Sequence, residues 1–318
     1  MIVTITMNPA IDKSTSVEAL LPEKKLRCDE VIREAGGGGI NVSRAIKKLG
    51  GESLCIFPSG GVNGKLLEEF LTRLEINYKS VSIKDETRES FTVNEHKTHA
   101  QYRFVLPGPT LSVEETAACI KLIEQLDPAP EFIIASGSLP PGVPDDFFRS
   151  LAAMSKSLGA KCIIDTSGAP LKSAADEGVY LLKPNLSELC SLANTSHLEM
   201  KEVDDAAMSV INKGNCEAMV VSLGPSGALL VTADGYEHIP APTVKKNTTV
   251  GAGDSMVAGM VYKLAQKRPL LEVARFGVAC GTAATMTAGT KLFNVEDVHR
   301  LYDWIDSYSD EHRLNFDN

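Results

Sequence analysis

Several common devices are missing from this chain. Its seven cysteines (Cys28, Cys55, Cys119, Cys162, Cys190, Cys216 and Cys280) contain no CxxC, and no two lie close enough for a zinc knuckle. Such a scattered, odd set reads as reduced thiols in a cytoplasmic protein, none of them in a polar motif that would activate it. The six histidines form no HExxH arrangement, and none reads as catalytic. Long apolar runs are absent too: Phe132–Ala135 and Met219–Leu223 fall far short of the ~20 residues that span a bilayer. The opening MIVTITM has no basic flank and is soon broken by Asp12 and Lys13, which excludes a signal-peptide core. An excess of positive charge is also lacking. The net charge of -9 argues against a nucleic-acid or anionic-membrane partner, while leaving room for a small anionic substrate in a local basic pocket.

What is present is enough apolar material for a sizeable core: 43% of 318 residues are hydrophobic. That length fits two domains or one large α/β domain, at roughly 100–200 residues per domain. Short β-rich runs at Ile2–Thr6, Leu54–Pro58, Phe132–Ser136, Lys161–Asp165, Tyr180–Lys183 and Ala218–Ser222 alternate with helical patterns. The helical patterns lie at Ile40–Leu49, Lys65–Leu74, Val113–Gln125, Asp145–Leu158 and Ala206–Lys213. Strands this apolar predict an α/β fold with a mostly parallel sheet covered by helices on both faces. Residues 13–35 and 88–106 break the rhythm, and Ser90–Val93 with Gln101–Leu106 predicts a hairpin. The two interruptions read as one small discontinuous β lid on a main domain made of 1–12, 36–87 and 107–318. The polar tail Asp310–Asn318 is expected to fray.

Two glycine-rich elements carry the chemistry. Thr248-Thr249-Val250-Gly251-Ala252-Gly253-Asp254-Ser255 leads into a helical run. Gly251, Ala252 and Gly253 would aim backbone N–H groups at an anion, with the Asp254 carboxylate in the same place. A carboxylate beside an anion hole suits a base that takes a proton from a hydroxyl while a phosphoryl group is transferred. The alternative is an Asp that only caps a helix after a turn. Ala35-Gly36-Gly37-Gly38-Gly39-Ile40-Asn41-Val42 implies close backbone approach, with Asn41 in the first helical turn. Neither element is a Walker A loop, and no GxGxxG follows the first strand, which counts against a nicotinamide oxidoreductase.

GGGGINVSRA near the start and TVGAGDS near the end together resemble the ribokinase-like (PfkB) family of carbohydrate kinases. Met7-Asn8-Pro9-Ala10-Ile11-Asp12, Ser136-Gly137-Ser138-Leu139-Pro140, Asp165, Lys183-Pro184-Asn185-Leu186-Ser187-Glu188 and Ser222-Leu223-Gly224-Pro225-Ser226-Gly227 agree in order and spacing. Within the family the 6-phosphofructokinase branch is the most similar. Gly38 stands where ribokinases and the 1-phosphofructokinase and tagatose-6-phosphate kinase branches usually carry Lys. PEKKLRC, TRES, QYRFVLPG and GSLPPGV also match that branch.

The resemblance implies ATP-dependent phosphorylation of fructose 6-phosphate at its 1-hydroxyl, with Asp254 as base and Gly251–Gly253 as anion hole. It implies that Asp12, Gly37, Gly38 and Asn41 hold the sugar, and that Lys25, Arg27, Arg88, Arg103 and Ser138 meet the substrate phosphate. Lys183, Asn185 and Glu188 fall to the nucleotide phosphates and the magnesium shell, with Glu188 acting through water. Asn185 and Glu188 also have the spacing of a helix capping box. Ser222, Gly224 and Gly227 would line the nucleotide site. Thr248 replaces an Asp that helps many relatives bind K⁺, leaving carbonyls near Val250, Ala284, Thr287 and Gly289 as donors for potassium. Relatives pair their lids across a homodimer, which is the expected assembly. Tagatose-6-phosphate kinase or 1-phosphofructokinase activity, or a non-catalytic sugar-phosphate or nucleotide-binding regulator, are the competing readings.

Overall fold

Complete burial of the central strands organises the molecule. In the computed structural model, which describes residues 1–287, 289 and 291–313 with side chains through Tyr308, the chain opens with β1 (Ile2–Ile5), β2 (Ala10–Val17) and β3 (Ile32–Gly36). Next come α1 (Gly38–Lys48), β4 (Leu54–Ser59), α2 (Gly61–Arg73), β5 (Asn77–Ser82), β6 (Arg88–Glu95) and β7 (Gln101–Val105). They are followed by α3 (Val113–Glu124), β8 (Phe132–Ser136), α4 (Phe147–Ser157), β9 (Lys161–Asp165), α5 (Gly168–Glu177), β10 (Val179–Leu182) and α6 (Leu186–Ala193). The chain ends with α7 (Val203–Asn212), β11 (Cys216–Ser222), β12 (Ala228–Thr232), β13 (Gly235–Ile239), α8 (Ala252–Ala265), α9 (Leu270–Met286) and α10 (Val295–Arg313). The last helix runs past Asp310 into the segment expected to fray, whose remainder lies outside the described residues.

The large sheet has the order β13-β12-β11-β10-β9-β8-β1-β4-β5. Neighbours from β11 to β5 are parallel, and β12 and β13 add an antiparallel hairpin at one edge. Alternate residues feed opposite cores, as the two-residue period of a strand requires. Ile133, Ala135, Cys162, Ile164 and Met219 face α3 to α7, whereas Ile134, Ile163, Leu181 and Val220 face α1, α8, α9 and α10. This is the predicted parallel sheet with helices on both faces. Burial pushes the Cys55, Cys119, Cys162 and Cys216 thiols up to about 12, so these cysteines pack rather than react. Among the described residues no helix is long and apolar enough to cross a membrane.

The predicted hairpin forms: β6 pairs antiparallel with β7, matching Ser90 to Val105 and Val93 to Tyr102. β2 lies parallel to β6 and antiparallel to β3, giving a small four-stranded sheet in the order β3-β2-β6-β7. Because β2 begins at Ala10, Asp12 stands inside this sheet, opposite Glu34 and Ser90. Ile11 and Ala35 anchor the sheet through a third core with Phe57 and with Leu67 and Leu71 of α2. The small sheet is thereby packed on β4 and α2, and Arg88 of β6 ties it to the Asn8 carbonyl just past the carboxyl end of β1, the end at which ligands of open α/β sheets bind.

Candidate active site

Asp254 lies in the first turn of α8, whose N-cap is Gly251 and not the aspartate. Its carboxylate reaches across the molecule instead. Oδ2 accepts from Asn41 Nδ2 of α1 at 2.9 Å, and Oδ1 accepts from Ser136 Oγ at the end of β8 at 3.2 Å. Arg44 fixes the Asn41 amide by donating to its Oδ1 at 3.1 Å, and it also pairs with Glu34 at 2.7 Å. Burial and then the nearby Asp165 carboxylate raise Asp254 to about 6, against the Asn41, Lys183 and Ser136 contacts. That value suits a proton acceptor near neutral pH.

The glycine run explains how α1 comes so close. A Cβ on Gly38 would collide with the Ser136 side chain and backbone, and a Cβ on Gly36 would occupy the space of the Asp12 carboxylate. Asp12 is itself raised to about 6, by burial first, while Arg44, Arg88 and Arg103 pull it down. Arg88 is half-buried beside it and donates to the carbonyls of Asn8 (3.1 Å) and Leu106 (3.2 Å). Ser138 is exposed and accepts from Asn8 Nδ2 at 3.1 Å. Asp12 thus shares a field with Arg88 and Arg103, Asn8 links Arg88 to Ser138, and Gly37 and Gly38 pack against Thr6, Pro9 and Ser136. Lys25 and Arg27 are exposed on the connection between β2 and β3 and make no hydrogen bond or ion pair with these groups among the described residues.

On the other side of Asp254, Lys183 Nζ follows β10 and pairs with Asp165 Oδ1 at 3.1 Å, both largely buried. Burial pulls the lysine down, but the Asp165, Glu188 and Asp254 carboxylates together outweigh it and the net shift is upward. Asn185 and Glu188 form the capping box of α6, each side chain accepting from the other's backbone N–H at 2.8–2.9 Å. Burial raises Glu188 and Asp165 adds to it through space, while Lys183 pulls it down, so the two carboxylates and the lysine share one field. A magnesium ion is held by one or two carboxylates with waters and phosphate oxygens, and this donor set fits that chemistry.

Ser222, Gly224 and Gly227 line a cavity of about 400 Å³ that also touches Ala252 and Gly253. Sequence reasoning missed its apolar lining, to which Pro242, Val244, Met256, Val278 and Gly281 contribute. It also missed Asn8, Arg44 and Ser136 as contributors. The Ala284 carbonyl accepts from Thr287 N–H (3.4 Å) and hydroxyl (3.0 Å), and Val250 N–H donates to Thr248 Oγ at 3.1 Å. Gly289 lies beside Ser14 of β2, while its neighbours Ala288 and Thr290 lie outside the described residues.

A buried proton acceptor in the first turn of α8, with a cavity of about 400 Å³ against that same turn, suits phosphoryl transfer to a hydroxyl. The model of pfkB family carbohydrate kinases matches residues 1–297. The chain belongs to this family. Among its relatives is the ATP-dependent 6-phosphofructokinase isozyme 2 of Escherichia coli (strain K12), 40% identical over 96% of this chain and 98% of the relative. The crystal structure of phosphofructokinase-2 from Escherichia coli with fructose-6-phosphate superposes with a TM-score of 0.90 at 39% identity, covering 96% of this chain and 99% of that one. The same protein in complex with potassium gives 0.92 at 40% identity over the same shares. A Thermotoga maritima ribokinase, 21% identical, shares the fold with a TM-score of 0.73 over 95% of this chain and 99% of that one. The pfkB kinase described here therefore has the ribokinase-like architecture that its paired glycine motifs resemble.

Proposed function

We propose that this kinase transfers the terminal phosphoryl group of ATP to the 1-hydroxyl of fructose 6-phosphate, giving fructose 1,6-bisphosphate and ADP. The observation that carries the reading is the Asp254 carboxylate, held by Asn41 and Ser136 in the first turn of the helix whose Ala252 and Gly253 border the cavity. Asp254 accepts the hydroxyl proton as the oxygen attacks phosphorus. The N–H groups of Gly251, Ala252 and Gly253 stabilise the charge on the group in transfer. Asp12, Asn41, Gly37 and Gly38 orient the sugar, so that catalysis is largely positioning. Arg88, Arg103 and Ser138 take the 6-phosphate, and Lys25 and Arg27 join them when the lid closes or from a second subunit.

Lys183 and Asn185 meet the nucleotide phosphates, and Ser222, Gly224 and Gly227 border the nucleoside slot. Asp165 and Glu188 would hold magnesium through water, and the bound ion supplies charge neutralisation on the phosphates. Val250, Ala284, Thr287 and Gly289 are the proposed carbonyl donors for potassium, a reading supported by the likeness to a potassium-bound neighbour. Exposed Tyr102 (40%), Phe104 (48%), Val105 (65%) and Leu106 (48%) on and beside β7 support a homodimer through the small sheet. The reaction is assigned to the cytoplasm, in keeping with free thiols throughout the described chain.

A coupled ADP-release assay across fructose 6-phosphate, tagatose 6-phosphate and fructose 1-phosphate tests the substrate. Fructose 6-phosphate is expected to give the highest kcat/KM. Negligible turnover of it beside fast turnover of another sugar phosphate overturns the choice of substrate, and no ADP release with any of them overturns the kinase reading.

A further inference from the structure

We propose that Asn8, between β1 and β2, is a positioning residue of the sugar-phosphate pocket that sets the direction of the Ser138 hydroxyl and helps seat Arg88. Asn8 is only 8% exposed. Its Nδ2 donates to Ser138 Oγ at 3.1 Å, and its backbone carbonyl accepts from Arg88 Nη2 at 3.1 Å and Nε at 3.4 Å. One residue therefore touches two of the groups to which the substrate phosphate was assigned. The inference rests on that assignment.

The amide is poorly explained as a stability device. Its Oδ1 is buried and accepts no hydrogen bond from any described residue. Gly108 lies so close that a Cβ there would run into this oxygen. A buried carbonyl without a donor is destabilising, and an apolar group of similar shape would serve folding as well or better. The side chain's one satisfied polar contact is the bond to Ser138. With an acceptor site on Ser138 Oγ filled from behind, the hydroxyl proton turns toward the open pocket. There it can donate to an anionic oxygen beside Arg88.

Asn8→Ala, Asn8→Asp, Ser138→Ala and the double variant Asn8→Ala/Ser138→Ala test this. The aspartate keeps the volume but only accepts, so it draws the Ser138 proton inward. Both Asn8 variants are expected to raise KM for fructose 6-phosphate at least fivefold while kcat falls less than threefold. The thermal midpoint of Asn8→Ala should stay within a few degrees of the parent. In the double variant, KM should match that of Ser138→Ala alone. A raised KM in Ser138→Ala with an unchanged KM in both Asn8 variants, or increases that multiply in the double variant, overturns the role of Asn8 and leaves the phosphate pocket standing. An unchanged KM in Ser138→Ala instead removes Ser138 from that pocket and takes the inference with it.

Discussion

Asp254 titrates in the range where the enzyme would work, and this makes its role separable from its effect on folding. Its folded value of about 6 lies above the ordinary 3.8, so between these limits the folded state holds the extra proton. Stability contributed by that proton is present at low pH and is lost as pH rises through the folded value. Above about pH 6 the buried carboxylate costs stability that Asp254→Asn recovers, with a ceiling of roughly 3 kcal/mol. The variant is therefore expected to melt no lower than the parent at pH 7.5 while losing at least ~10²-fold in kcat. The parent's kcat should fall on the acid side as the base becomes protonated. Near-normal turnover in a folded Asp254→Asn would refute the assignment. This residue was legible because its glycines precede it directly in the chain. Ser136 and Asp165 were not legible as its partners, nor Arg44 as the brace of Asn41, because a strand end and a helix face more than 80 residues away carry no local mark of where the topology brings them.

At the scale of elements, the predicted strands and helices of the parallel region agree with the structure to within a few residues, because their apolar periods are strong. Edge elements were harder to read. β5, NYKSVS, is exposed or half-buried throughout and lacks a clean alternation of apolar residues. The β12–β13 hairpin has its signal in the turn, where Thr232 pairs with Gly235 across Ala233 and Asp234. The glycine run is the reverse case: the sequence implied close approach, and the structure supplies what is approached. Gly36 closes β3 against the Asp12 carboxylate. Gly36→Ala keeps the strand pairing but drives that carboxylate from its place between Arg44 and Arg88. KM for the sugar phosphate should rise about tenfold or more, with a loss of about 1–2 kcal/mol in chemical denaturation. An unchanged KM would show that Asp12 does not hold the sugar.

The whole molecule carries a net charge of -9, yet the ligands proposed for it are anions. The resolution is local: Arg44, Arg88 and Arg103 act on Asp12, and Lys183 pairs with Asp165 within reach of the Glu188 charge. Two more cations, Lys25 and Arg27, are exposed on the small sheet's long connection. The same sheet leaves Tyr102, Phe104, Val105 and Leu106 open on its β7 side, an edge strand rich in apolar groups. Such an edge invites pairing or burial, and a second copy of the sheet offers the matching surface under twofold symmetry. Val105 is the sharpest probe, being 65% exposed and outside the Phe91–Phe104 ring contact, so that a charge there spares the fold. Val105→Glu is expected to convert a dimer to a monomer by light scattering at assay concentration, because two buried carboxylates would then face each other across the axis. If the dimer also brings Lys25 and Arg27 to the pocket, the monomer should lose affinity for the sugar phosphate more than for ATP. A parent chain that is already monomeric at that concentration would remove the dimer. The two cations would then have to reach the phosphate by movement of their own lid.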